Sequence, residues 1–305
     1  MEATYITNGV TQDGFGARLQ RCISVICFVE YLRNELGLSV EYLHTPFSYQ
    51  GDGPAAQDYN AGESIRGDFS LANSYPYDDI SREGYFKRAK KWDEALAFKK
   101  RTIEHVYLKD FTHQEGYQEF NACRERNALN NMFFVIRLLH GEYDCGTLDI
   151  NNFVKYRSNI LDYFGFKKSQ SKKPTIALHI RRKDSLDKGN RHTEDSYYLD
   201  ILKELEPYKS EYDITIYTQR VGFNSDLYQG WNIAYDDTEE DYETFIKLVS
   251  ADHLIVGSSS FSYVAALLNQ NTIVYHYKPG SHKAVSSWIN ADQYKELLNN
   301  KKQHE

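Results

Sequence analysis

TIALHIRRKD, residues 175–184, sets a run of buried-strand character directly against a pair of arginines. Thr175, Ile176, Ala177, Leu178 and Ile180 make the near-continuous apolar stretch that a parallel strand shows when helices cover both of its faces. Arg181 and Arg182 then fall at its C-terminal end. In open α/β sheets that end lines the ligand crevice. Two guanidinium groups held there would recognise an anion through bidentate, permanently charged hydrogen bonds. Read structurally, the same pair would be solvated or would bridge acidic residues of a helix. His179 alternates with the arginines and reads either as a core histidine or as a ribose or base contact.

Downstream the alternation continues: a helix at about 195–206, strand ITIYT (214–218), a helix at about 239–249, strand HLIVG (253–257), a helix at about 262–268 and strand TIVYH (272–276). Strands alternating with helices predict a parallel, doubly wound sheet. A second such unit opens the chain. It runs from strand TYIT through the Gly-rich NGVTQDGFG to a helix and then to strand LSVEYL. Leu19, Cys22, Ile23, Ile26, Val29, Leu32 and Leu36, spaced by three or four residues, predict that helix, and Gly37 stops it. Residues 46–80 are polar, without sustained period, and read as an excursion. Helices are predicted around 82–106 with Trp92, around 121–140 with Leu129, Phe133, Ile136 and Leu139 on one face, and around 150–164. KKSQSKKP (167–174) has linker composition. The expected organisation is therefore an N-terminal Rossmann-like domain, 1–168, carrying a helical insertion, and a C-terminal Rossmann-like domain, 169–305.

The whole chain sets limits on its partners. With 305 residues and 41% hydrophobic content it is long enough for two cores. A formal net charge of −7 argues against nucleic acid as the main partner, so any anion site must be local. No window approaches the roughly 18 apolar residues of a membrane span, and MEATYITNG lacks the charged and apolar regions of a signal peptide. Cys22, Cys27, Cys123 and Cys145 form no C-x-x-C pair, and no N-x-S/T sequon occurs, so a cytoplasmic protein with reduced thiols is expected.

Two further constellations carry chemistry. ADHLIVGSSSFSYVAALL (251–268) is a strand ending at Gly257, then Ser258, Ser259 and Ser260, then a helix. A helix N-terminus presents unpaired N–H groups and a positive dipole end, and small hydroxyl residues let an anion come close. An ordinary serine N-cap is the bland alternative. QDGFGARLQR (12–21) is a poor dinucleotide fingerprint, because Leu19 stands at the third glycine position. It fits a loop whose backbone approaches a ligand closely, with Asp13 beside it. No D-x-D and no ligand-spaced His/Asp cluster occurs, so a metal-bridged sugar nucleotide is not favoured and no cofactor is expected. Asp236, Asp237 and Thr238 read as helix capping.

HIRRKD resembles the H-x-R-R-x-D motif of the α1,2- and α1,6-fucosyltransferase superfamily. SSSFSYVAALL resembles that family's S-S-F-S-x-x-A-A-x-L segment, and DGFGARLQ its N-terminal G-x-G-N-Q-L-type loop. The likeness covers nearly all of 170–277 and about 30 residues at the N-terminus. It implies a GT-B arrangement, two Rossmann-like domains facing a cleft, with inverting, metal-independent transfer of fucose from GDP-fucose to a glycan hydroxyl. Transfer of another GDP- or UDP-sugar, or a nucleotide-sugar-binding module without catalysis, are the alternatives. Carried over onto these residues, Arg182 would grip the β-phosphate, His179 and Asp252 the nucleoside, and Ser258, Ser259, Ser260 and Phe261 the diphosphate region. Arg181 and Asp184 would support that shell, and Gly14, Phe15 and Gly16 would line the N-terminal loop. Asp13, then Asp187, would accept the acceptor hydroxyl's proton. Ala17 stands where many relatives have Asn, and KDSLDKG replaces the usual glycine and aromatic after the arginines.

Overall fold

Two runs of parallel strands organise the chain, one in each of the compact units Met1–Phe166 and Lys167–Glu305. The computed structural model describes residues 4–8, 15–44, 90–91, 102–109, 118, 121–122, 132–139, 150–164, 171–182, 192–235, 241–276, 282 and 284–302.

In the first unit TYITN forms β1 (Thr4–Asn8), followed by α1 (Phe15–Asn34) and β2 (Val40–His44). Leu19, Cys22, Ile23, Ile26, Val29 and Leu32 of α1 are all 0% exposed, and Ser24, Val25, Cys27, Phe28 and Glu30 between them are buried as well, so the helix is covered on every side over this stretch. The helix ends where Gly37 adopts φ 64°, and the Leu38 N–H donates to the Leu32 carbonyl at 3.1 Å. A glycine takes that left-handed turn without the Cβ clash that other residues would meet. Three more strands, β3 (Lys90–Lys91), β4 (Thr102–Lys109) and β5 (Met132–Leu139), complete a parallel sheet of order β3-β2-β1-β5-β4. α2 (Ile150–Phe164) lies against α1. Between these helices the Glu30 carboxylate, 3% exposed, accepts from Arg33, Asn34, Asn159 and Tyr163. Such saturation is what makes a buried charge tolerable.

Here the structure corrects two expectations. Residues 90–91 and 102–106, predicted within a helix around 82–106, and 132–139, predicted within one around 121–140, are strands; β4 and β5 pair in register from Thr102↔Met132 to Lys109↔Leu139. MFFVIRLL places Phe133, Ile136 and Leu139 three apart, which imitates a helical face. The run is nevertheless apolar at nearly every position, the pattern of a strand covered on both sides. Trp92 lies outside the described residues.

The second unit is built from β6 (Thr175–Ile180), α3 (Asp195–Leu205), β7 (Asp213–Thr218), β8 (Asn232–Tyr235), α4 (Asp241–Ser250), β9 (His253–Val256), α5 (Ser260–Leu268), β10 (Thr272–Tyr275) and α6 (Ala291–Lys302). Its parallel order is β10-β9-β6-β7-β8. The chain therefore leaves β6 to build β7 and β8 on one side, then returns to place β9 and β10 on the other. Strand order reverses between β6 and β9, which is the switch point where open α/β sheets bind ligands. Ile176, Leu178 and Ile180 share a core with Tyr198, Ile201 and Leu202 of α3 and with Tyr294 and Leu298 of α6. Period-two alternation turns Ala177 and His179 to the opposite face, where Phe261 of α5 meets the His179 ring at 5.3 Å. The edge strand β8 and the C-terminal α6 are additions to the predicted alternation. Both units are thus α/β, and each has the parallel, doubly wound sheet expected of a Rossmann-like domain.

Candidate functional site

Two loops converge at the switch point of the second unit: the one leaving β6 with Arg181 and Arg182, and the one leaving β9 with Gly257 and three serines. His179 pairs with Val256 in register, so the two loops start side by side.

The arginines part company in the structure. Arg181 is half-buried, whereas Arg182 is 1% exposed. The Arg182 guanidinium donates to the Arg181 carbonyl at 2.8 Å and to the Thr193 carbonyl at 3.3 Å, and it closes an ion pair with Asp195 at the start of α3. Tyr228, 0% exposed, donates its hydroxyl to the same carboxylate oxygen. Arg182, expected to grip a phosphate, is thus already held by internal partners. Its place is beneath the strand end, while Arg181 lies at the strand end itself.

His179 is 5% exposed, and burial, with the Arg181 charge adding to it, pushes its imidazole down to about 3. It is neutral at physiological pH and offers hydrogen bonding without charge. The Tyr198 hydroxyl donates to its carbonyl at 3.3 Å, and the Thr218 hydroxyl donates to that of Ile180 at 2.8 Å, so the end of β6 is fixed from two sides.

On the facing loop the Thr193 hydroxyl accepts the Ser258 N–H at 3.1 Å. Gly257 passes directly under Thr193 and Tyr198. A Cβ there would overlap both hydroxyls and lie 2.9 Å from the Thr193 Cβ, a spacing real side chains do not adopt. Only glycine lets the backbone pass this close. Ser259 then takes the N-cap position of α5 in extended conformation (φ −131°, ψ 126°), yet its hydroxyl makes no capping bond. That hydroxyl is buried in a residue 3% exposed and has no hydrogen-bond partner, and the Ser258 hydroxyl is likewise unpartnered. Buried donors left unmade cost about 1–3 kcal/mol each. Together with the first N–H groups of α5, which no intrahelical carbonyl satisfies, they form a cluster of donors that an anion would complete. Ser260 stands 3.1 Å from the His282 Nε2. Phe261 packs between His179 and Phe245, whose ring centroids lie at 5.3 and 5.5 Å.

Asp252 is a correction. It precedes β9, so it lies at the opposite edge of the sheet from the arginines and serines. Its Oδ2 accepts the Thr175 N–H at 2.9 Å and the Thr175 hydroxyl at 3.2 Å, and its own N–H donates back to the Thr175 carbonyl at 3.1 Å. The carboxylate ties the beginnings of β6 and β9 together, at the end of these strands away from Arg181 and the serines. Gly16 is buried in the first turn of α1, in the other unit. Phe15 begins that helix. Asp13, Gly14, Asp184 and Asp187 lie outside the described residues. The partners that the sequence reading did not single out are Thr193, Asp195, Tyr198, Tyr228 and His282.

No family model matches the chain, and no curated protein matches it. Among solved structures, the chain is similar to E. coli ADP-heptose lipopolysaccharide heptosyltransferase II, with a TM-score of 0.40 and 10% identity over 97% of this chain and 98% of that one. It is similar to POFUT1 in complex with GDP, with a TM-score of 0.48 and 9% identity over 90% and 98%. It is also similar to a family 9 glycosyl transferase from Veillonella parvula, with a TM-score of 0.44 and 10% identity over 98% and 92%. Likenesses this distant say nothing of residues or ligands, so the chemistry must be read from the site itself.

Proposed function

We propose that the protein is a glycosyltransferase that binds the diphosphate of a nucleotide sugar at the switch point between β6 and β9 and transfers the sugar, with inversion, to a glycan hydroxyl. GDP-fucose is the donor that the resemblance of HIRRKD and SSSFSYVAALL implies. The single observation that carries the reading is the N-terminus of α5, where the Ser259 hydroxyl is buried without a hydrogen-bond partner, beside the strand that Arg181 follows.

The chemistry follows from charge. Breaking a glycosyl phosphate bond leaves negative charge on the departing diphosphate, and fixed donors aimed at that charge stabilise it without reorganising. Arg181, the serine hydroxyls and the first N–H groups of α5 supply the donors. Arg182, clamped by the Asp195 carboxylate that Tyr228 also bonds, holds the Arg181 carbonyl and so fixes the backbone from which Arg181 projects. The absence of D-x-D in the sequence supports a site working with protein donors alone. Asp13, or else Asp187, is proposed as the base that takes the acceptor proton, as the resemblance implies. Pairing of the two α/β units as a GT-B enzyme, and a cytoplasmic location, belong to the same proposal. Among the described residues no helix is long and apolar enough to cross a membrane.

The place of Asp252 favours a second reading of the donor. With that carboxylate at the far edge of the sheet, guanine loses its expected reader, and a UDP- or ADP-sugar is the alternative. Thermal shift of the full chain with GDP-fucose, UDP-glucose and ADP-glucose, followed by a transfer assay on the stabilising donor with and without EDTA, tests both. Stabilisation by one nucleotide sugar, lost in Arg181→Ala, is expected. No shift with any nucleotide sugar would overturn the assignment.

A further inference from the structure

Two adjacent tyrosines stand in the first turn of α3, and only one of them has spent its hydroxyl. Tyr198, 1% exposed, donates to the His179 carbonyl at 3.3 Å. The Tyr197 hydroxyl is also buried, yet it has no hydrogen-bond partner. Its ring is held on two sides. The His276 imidazole lies against it with centroids 4.3 Å apart and planes 36° from parallel, and the Tyr198 ring meets it edge-on at 5.0 Å. A buried tyrosine hydroxyl ordinarily finds a partner, and leaving one unmade costs free energy.

The surroundings of Tyr197 are those of the serine loop. Thr193, just ahead of α3, accepts the Ser258 N–H at 3.1 Å, and Tyr198 stands directly over Gly257. Tyr275 of β10 pairs with Val256 of β9, and the His276 N–H donates to the Val256 carbonyl at 3.1 Å. His276 and Gly257 therefore leave their strands side by side. On the other flank of β9, Arg181 leaves β6. The serine loop thus has Arg181 across one strand and His276, with Tyr197 stacked on it, across the other, at strand spacings of about 4.8 Å.

We propose that the Tyr197 hydroxyl is a further donor to the diphosphate of the nucleotide sugar, on the β10 side of the serine loop. The proposal rests on the reading of that loop as the diphosphate site. Three hydroxyls around it, those of Tyr197, Ser258 and Ser259, are buried without a partner. Phosphate oxygens are strong acceptors, and hydrogen bonds to them are charge-assisted. One diphosphate therefore answers all three hydroxyls. Burial, with Tyr198 and Tyr275 adding to it, holds the Tyr197 phenol well above its ordinary range, so it remains a neutral donor near physiological pH. It complements Arg181 without adding a second positive charge.

The experiment is calorimetric titration of the full chain, wild type and Tyr197→Phe, with GDP-fucose, UDP-glucose and ADP-glucose, and then with the nucleoside diphosphate of the sugar nucleotide that binds. Phenylalanine keeps the ring on His276 and removes only the hydroxyl, so urea unfolding of the variant should match the wild type or show slightly higher stability. Affinity should fall about tenfold, for the nucleotide sugar and its nucleoside diphosphate alike. Tyr198→Phe, which removes a hydroxyl bonded within the protein, should lose stability instead. Unchanged affinity in Tyr197→Phe would overturn the proposal while leaving the donor site intact. A fall confined to the nucleotide sugar would also overturn it, because the hydroxyl would then meet the sugar and not the diphosphate. Loss of stability in Tyr197→Phe would show a hydroxyl bonded in the free protein and overturn it too. Absence of binding by all three donors to the wild type would overturn the donor reading, and the proposal with it.

Discussion

Arg182 and Asp195 form an ion pair in which the arginine side chain is 2% exposed and the carboxylate 31%. The pair joins the end of β6 to the beginning of α3, and Tyr228 adds a third anchor from the turn before β8. Removing one partner of a buried pair leaves the other charge uncompensated. Asp195→Asn should therefore lower the stability of the full chain by about 1.5–3 kcal/mol, the worth of hydrogen bonds to charged groups. Urea unfolding measures the loss. Donor affinity should fall as well, since the Arg181 backbone loses its support. Unchanged stability would show that the pair is idle.

Ser259→Ala separates a cap from a ligand contact. A working serine N-cap loses about 0.5–2 kcal/mol on replacement by alanine, but this hydroxyl makes no capping bond. The substitution should leave unfolding free energy unchanged or slightly raised. It should weaken nucleotide-sugar binding several-fold, as read by calorimetry. Loss of stability with affinity preserved would return Ser259 to an ordinary capping role.

Gly257→Ala should destabilise the chain by about 1–3 kcal/mol, the usual cost of forcing atoms into a packed site. Thr193→Ala removes one of the two side chains in the way. The double variant should be more stable than the sum of the single effects predicts, because contacting residues couple. Strict additivity would mean that the crowding is relieved elsewhere.

His179 sets an acid limit. Its folded-state value near 3 lies below the ordinary histidine value of 6.5, so the unfolded chain binds the extra proton between them. Its contribution to stability is complete above the ordinary value and is lost as pH falls toward 3. The slope is at most about 1.4 kcal/mol per pH unit. His179→Phe should flatten the fall of stability between those values, measured by urea unfolding at a series of pH values. An unaltered slope would show that other groups govern acid unfolding.

Much of this was written locally in the chain. The spacing of Leu19 to Leu32, the run before Arg181, and Gly257 ahead of three serines each declare an element within a few residues, and those elements stand where the sequence placed them. MFFVIRLL misled because a nearly all-apolar run carries no alternation, and a three-residue spacing appeared by accident. The supports of the site failed for another reason. Arg182 finds Asp195 thirteen residues on, Tyr228 finds Asp195 thirty-three away, and Ser260 finds His282 twenty-two away. Such pairings arise from the order β10-β9-β6-β7-β8 and leave no periodic trace. Asp252 was misplaced because a motif gives sequence distance, whereas four residues of β9 separate the two edges of a sheet.

Asp252→Ala should cost about 1–3 kcal/mol, since the Thr175 donors lose their acceptor, while donor preference stays as it was. Thermal melting alongside the donor panel checks both halves. A changed nucleotide preference would put Asp252 back among the ligand contacts.

The stitching of Thr175 to Asp252 divides the labour of this sheet between its two ends. Thr272 N–H also donates to the Asp252 carbonyl at 3.2 Å, so three strands start from one knot. That knot lies at the end of β6 and β9 away from the buried, unpartnered hydroxyls of Ser258 and Ser259. For an engineer the knot is a place to tune robustness at the end of the sheet away from the two converging loops.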